Sequence, residues 1–121
     1  MDARLVKRSS QPVFWLLFGA GGMLSALIGA MLVFLTGFAL PLGLGFPRAA
    51  FGYDAMLAFE RHWAGAAFTL AVISLFLWHG VHRIFHGLHD LGVHARLPSA
   101  LACYGLAASG TAAAALILLR I

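Results

Sequence analysis

Long apolar stretches alternate with short polar ones along this chain. The first apolar run extends from about Val13 to Leu40. The second, from about His62 to His89, is apolar through Val81 and progressively polar afterwards, and the third covers about Ser99 to Leu119. A helix crossing the hydrocarbon core of a bilayer needs about 20 apolar residues, so each run is long enough for one crossing. The pattern predicts an all-α membrane protein with three transmembrane helices, at about 13–40, 62–90 and 99–119, forming a single membrane domain over 1–121.

The punctuation between the runs is equally readable. A basic tail containing Arg4, Lys7 and Arg8 precedes the first run, as in a secretory signal. The apolar part of a signal is only about 7 to 15 residues long, however, so this run is predicted to remain as a helix. Pro41 and the glycine-rich stretch to Pro47 close it, because proline cannot continue the hydrogen-bond ladder and glycine is costly within one. The segment Arg48 to Arg61 mixes Asp54 and Glu60 with Phe51, Tyr53 and Phe59, a composition that suits the headgroup level, and Tyr53 to Phe59 is predicted as a short surface helix. Gly92 is the expected stop of the second span, and Val93 to Pro98 the link to the third.

Composition sharpens this picture. A chain of 121 residues that is 62% hydrophobic and 10% charged, with a mean hydropathy of +0.93, has no segment left from which to build a soluble domain. A nucleotide fold or an iron-sulfur module would have to sit on another chain, so the protein is expected to be a component. The net charge of +4 arises from eight Lys and Arg residues against four acids. These charges lie at the ends of apolar runs rather than in a stripe on a soluble surface, which excludes nucleic acid as the expected partner and points to topology. With the N-terminus cytoplasmic, Arg4, Lys7, Arg8, Arg83 and Arg96 lie inside, against Arg48, Arg61 and Arg120 outside. The one cysteine, Cys103, lies in the third run, where it reads as a small packing residue.

Small residues recur at four-residue spacing in the first and third spans. Gly21, Ser25 and Gly29 form one line with Gly22, Ala26 and Ala30 beside it, and Gly105, Ser109 and Ala113 repeat the theme next to Gly110 and Ala114. In lipid, close backbone approach is a main source of attraction between helices. Two such faces predict a bundle of more than three helices.

The candidate chemistry is concentrated in the second span. At about 100° per residue, His79, His82, His86 and His89 fall within an arc of roughly 80° and form one stripe. Ionisable groups at membrane depth face protein or water and are functional-site candidates. Three readings are open on spacing alone. A metal ion could be shared by His82 and His86, although only Asp90 is at hand to extend the ligand set. A haem b ligated by one histidine would need its second ligand from another subunit, since the first and third spans contain no histidine. A quinone pocket at the cytoplasmic membrane boundary would use Trp15 as an indole donor, His82 as a group that can exchange a proton, and Arg83 as a fixed cation able to hold an anionic ring oxygen. Against all three stands the plain alternative that Trp15 belongs to the aromatic belt and that Arg83 and the outer histidines, His86, His89 and His94, reach toward headgroups.

At these residues the sequence resembles the D-subunit family of fumarate reductases, the smaller of two bacterial membrane anchors. The matching pieces are Pro12 to Trp15 and Leu17 to Met23, Leu40 to Leu44, Leu57 to Phe59, Leu77 to Arg83 with His86 and His89 to Leu91, and Tyr104 to Ala108. They occur in the family's order over nearly the whole chain. The resemblance implies a heterotetramer with a flavoprotein carrying FAD, an iron-sulfur protein and a second three-helix anchor, the C anchor, in the bacterial inner membrane. It also implies that menaquinol is oxidised at a site to which Trp15, His82 and Arg83 contribute, without haem. The sequence departs from the family in Glu60, Arg61 and His62, where relatives have an uncharged polar stretch. The alternatives outside this family are a haem-bearing anchor of a succinate dehydrogenase and a small homo-oligomeric channel or transporter, the latter disfavoured because the first and third spans carry no charge in their interiors.

Overall fold

The computed structural model describes the chain from Gln11 to Ile121, and the basic residues Arg4, Lys7 and Arg8 lie outside the described residues. Among the latter, secondary structure is entirely helical. Three helical segments, Phe18–Leu42, Trp63–Asp90 and Arg96–Leu118, are long and apolar enough to cross a membrane. At 1.5 Å per residue each reaches about 35 Å or more, the scale of a hydrocarbon core.

The first span begins as α1, Gln11–Phe34, widens into a π-helical turn at Leu35–Ala39 and finishes in a last α-helical turn, Leu40–Leu42. Pro41 is therefore inside the span rather than beyond it. The widened turn immediately precedes it, with the Leu40 N–H donating to the carbonyl of Leu35 five residues back. Such a bulge relieves the clash between a proline ring and the preceding turn. The helix stops at Gly43, which adopts φ 67°. Around it Leu44 N–H donates to Ala39 O at 2.8 Å and Gly43 N–H to Leu40 O at 3.2 Å, the paired bonds of a Schellman cap. Arg48 adds a guanidinium hydrogen bond to Pro41 O at 3.0 Å. In lipid these bonds matter because an unpaired carbonyl has no water to accept from.

A 3-10 turn at Arg48–Phe51 leads into the surface helix α2, Tyr53–Arg61, two residues longer than the expected Tyr53 to Phe59. The second span, α3, runs Trp63–Asp90, and His62 caps it by accepting the Ala64 N–H on Nδ1 at 3.2 Å. Thr69 of α3 donates to Glu60 Oε1 at 2.7 Å, tying α2 to the span. Gly92, at φ 88°, ends α3 in a second Schellman cap made by Val93 N–H to Leu88 O and Gly92 N–H to His89 O, each 3.0 Å. The third span, α4, covers Arg96–Leu118 and starts before the expected Ser99. Pro98 falls in its first turn, where a missing N–H costs nothing because those donors have no intrahelical partner.

Both outer spans pack on α3, which makes it the middle of the three. On one side a Cβ at Gly21 would lie 2.8 Å from the Leu75 carbonyl oxygen and 2.9 Å from His79 Cβ, and one at Gly22 would lie 2.8 Å from His79 Cε1. The first line of small residues is thus a contact face. On the other side, Val81 of α3 and Cys103 and Ala107 of α4 form a small buried cluster flanked by Leu77, Trp78, Phe85, Leu88 and Tyr104. Gly110 meets Leu77 there, but Gly105, Ser109 and Ala113 are exposed, and among the described residues nothing outside its own stretch of helix comes within 4 Å of where a Cβ at Gly105 would lie. That second line of small residues is left free.

The contact geometry makes a direct prediction for the chain purified in detergent. Gly21→Ala is expected to lower its thermal midpoint, with a destabilisation of about 1–3 kcal/mol, because the added carbon meets backbone that cannot rotate away. Gly87→Ala, where an added Cβ would meet no described atom within 4 Å beyond its own stretch of helix, should be neutral or stabilising by up to about 1 kcal/mol. Equal midpoints for the two variants would contradict the close packing at Gly21.

Candidate functional site

Trp15, His82 and Arg83, singled out from spacing, line a single groove of about 270 Å³ between α1 and α3, together with Phe18, Gly19 and His79. The meeting has a simple local cause. Trp15, Phe18, Gly19 and Gly22 lie at three- and four-residue steps and so share a face of α1. The glycines on that face let α3 come close enough for its imidazoles to reach α1. His82 lies eight residues before the end of α3, a depth of about 12 Å.

Each histidine in the groove has one ring nitrogen committed. His79 Nδ1 is 3.0 Å from the Phe18 carbonyl oxygen. Because a carbonyl can only accept, Nδ1 carries the proton and donates. His82 Nδ1 is 2.9 Å from the Tyr104 hydroxyl on α4. The His82 ring also stacks on Phe18, with centroids 3.8 Å apart and planes at 12°, a contact of the kind that contributes about 0.5–1.5 kcal/mol beyond area burial. His82 is thereby held by all three spans. Arg83 is exposed beside it, and Trp15 is 82% exposed, so in this chain the indole forms a wall whose outer side is uncovered.

The histidine stripe divides. His86 packs edge-on against His82 with centroids 4.4 Å apart, but it belongs to a second groove, of about 230 Å³, with Phe85, His89 and Arg96. There an Arg96 N–H donates to His89 Nε2 at 3.4 Å, and His94 lies 6.0 Å from His89 between ring centroids. Among the described residues no group of three or more His, Cys, Asp or Glu side chains is placed to share a metal ion, so the His82 and His86 pair gains no further ligand from the fold.

Phe18, Gly19 and Tyr104 were not legible as site residues. Phe18 and Gly19 could have been found from their three- and four-residue steps from Trp15, but Tyr104 reaches His82 only through the register of α4 on α3. At the far end of the bundle Phe59, His62, Ala64, Gly65 and Phe68 line a third, more apolar groove. In the adjoining turn, Glu60 has Oε2 buried without a hydrogen-bond partner among the described residues.

Chemically the first groove offers hydrogen-bond donors, imidazoles that can exchange protons, a fixed cation and an aromatic wall. Its volume falls just short of the about 300 Å³ at which pockets for small organic molecules begin. Comparison with known proteins agrees with the resemblance drawn from the sequence. A family model described as the D subunit of fumarate reductase matches residues 5–119. A fumarate reductase D subunit from Shewanella sp. (strain W3-18-1) is 48% identical over 102 residues, 84% of each chain. Those from Mannheimia succiniciproducens and Vibrio vulnificus are 43% and 40% identical, covering 84% and 86% of this chain and 83% and 82% of their own lengths.

Proposed function

The chain belongs to the fumarate reductase D-subunit family, and from that premise we propose that it anchors a quinol:fumarate reductase in the bacterial inner membrane and supplies one wall of its quinol site. As a member of that family it is a membrane-anchor subunit of a fumarate reductase, and its three apolar spans make it a multi-pass membrane protein. The finer reading has the N-terminus in the cytoplasm, a flavoprotein and an iron-sulfur protein docked at the end of the bundle nearer the first groove, and the C anchor against the faces left open. Menaquinol is the substrate on this reading, and FAD and the iron-sulfur clusters belong to the partners.

The observation that carries this reading is the convergence of Trp15, His82 and Arg83 on one groove with an aromatic floor. A quinol ring needs an apolar slot, partners for two oxygens and somewhere for protons to go. Phe18 and Trp15 offer the slot. The Arg83 guanidinium is a permanent donor that gains in strength as negative charge develops on a ring oxygen. The Trp15 indole N–H is a second, neutral donor. The open side of the groove suits a lipid-soluble substrate that arrives from the bilayer and a partner chain that closes the pocket over it.

Two measurements test the reading. A charge-assisted hydrogen bond contributes about 1.5–3 kcal/mol, so Arg83→Leu in the assembled complex should lower quinol-dependent fumarate reduction about 10- to 100-fold. Trp15→Phe should lower it less, and both variants should leave turnover with a soluble artificial donor near wild type. Equal losses with both donors would identify an assembly defect and remove the support for a quinol wall. Separately, the tagged chain recovered in mild detergent is expected to bring with it a flavin-bearing chain, an iron-sulfur chain and a second small membrane protein, with no b-type band in a reduced-minus-oxidised spectrum. Recovery as a symmetric oligomer without flavin would favour the channel reading, and a haem band would favour the haem-bearing anchor.

A further inference from the structure

The two imidazoles in the groove are held by different kinds of partner, and the difference fixes what each can do. His79 donates from Nδ1 to the Phe18 carbonyl, which leaves Nε2 as an unprotonated acceptor while the ring is neutral. The ring lies against Gly22, at distances that a Cβ would occupy, so its position is set by the backbone of α1 and not by a mobile side chain.

His82 is held through a hydroxyl, which can donate or accept. The surroundings of Tyr104 decide between these. Its ring packs among Trp78, Phe85 and His82, and the hydrogen bond to His82 Nδ1 is the one found for its hydroxyl among the described residues. If Nδ1 carried the proton, the phenol hydrogen would have no acceptor among the described residues, a costly arrangement for a hydroxyl whose ring packs among aromatic side chains. The phenol therefore donates to Nδ1, and His82 carries its proton on Nε2.

We propose that the Phe18 carbonyl and the Tyr104 hydroxyl lock His79 and His82 in opposite tautomers, so that His79 Nε2 accepts a proton from the quinol hydroxyl while His82 Nε2–H donates to a ring oxygen. This rests on the quinol reading of the groove. In the step assigned to His79, one O–H bond of the quinol breaks and its proton passes to Nε2. The bonding pair stays on that oxygen, one electron of the quinolate so formed passes to the iron-sulfur acceptor on the partner protein, and the second hydroxyl keeps its proton through this step. The imidazolium so formed keeps its Nδ1–H on the Phe18 carbonyl and returns the proton to water. His79 is then a catalytic residue in this chain, and Tyr104 a positioning residue that acts through His82.

The isosteric substitution is informative. His79→Asn retains an N–H at the place of Nδ1, able to keep the bond to Phe18, and removes the nitrogen at the place of Nε2. In the purified complex its quinol-dependent kcat is expected to fall about 100-fold, the low end of the general-base range, with artificial-donor turnover and subunit recovery unchanged. A purely structural tether between α1 and α3 would leave the Asn variant at wild-type rate. Tyr104→Phe, on a different span, should cost about tenfold in quinol turnover. It should also shift the ring-nitrogen NMR signals of 15N-histidine-labelled complex from a single His82 tautomer to a mixture, a change that loss of packing alone does not produce.

Wild-type quinol turnover in His79→Asn, an unchanged tautomer signature in Tyr104→Phe, or a b-type haem band that is present in the wild type and lost in His79→Asn would each overturn the proposal. If the first occurs while Arg83→Leu is impaired, the assignment of His79 fails and the groove stands. If Arg83→Leu and Trp15→Phe are also silent, the quinol reading falls with it.

Discussion

Apolar side chains gain nothing by leaving lipid for one another, so α1 is held on α3 by how closely their backbones can approach. That approach is set at Gly21 and Gly22, where the Leu75 carbonyl and the His79 ring occupy the space that side chains would otherwise fill. The consequence reaches beyond packing. Only at this separation does His79 reach the Phe18 carbonyl and does Phe18 lie flat on His82. The groove is what remains between two helices pinned together one turn deeper in the membrane.

Two hydroxyls of the first span are satisfied by their own helix. Ser25 returns its hydroxyl to Gly21 O at 2.8 Å and Thr36 to Leu32 O at 2.7 Å, so neither asks anything of the lipid. His79 and His82 are different, because each commits one ring nitrogen to the fold and keeps the other. A histidine used that way is both a structural pin and a reagent. Burial within the chain is otherwise slight, with Ala39, Val81, Cys103 and Ala107 its buried hydrophobic residues among those described. Such a chain is stable only with lipid or partner helices on its outer faces, and the exposed small-residue line of α4 is suited to a helix that comes close.

Two prolines separate expectation from outcome. Pro41 read as the end of the first span, yet the chain accommodates it by widening the turn before it and stops at Gly43 instead. Pro98 read as part of a link and lies in the first turn of α4. Both differences have the same source: proline forbids one backbone hydrogen bond, and whether that ends a helix depends on whether the bond was needed there. The histidine stripe was visible from its spacing, but its division into two grooves was not, since that depends on where α1 ends its contact and where the α3–α4 turn folds back.

Local and periodic features were legible in the amino-acid sequence: three spans from the length of apolar runs, Gly92 as a stop, a close-packing face at Gly21 and Gly22, and Trp15, His82 and Arg83 as candidates at comparable depth. These follow from helix geometry and from transfer free energies, which act within a single run of residues. The packing of the three spans added that Tyr104 binds His82, that the Phe18 carbonyl takes the His79 proton donor, and that one line of small residues is used and the other left open. Those depend on the register of one helix against another, a quantity of a few ångströms set by the sum of contacts along the whole interface, which no single segment of the chain encodes.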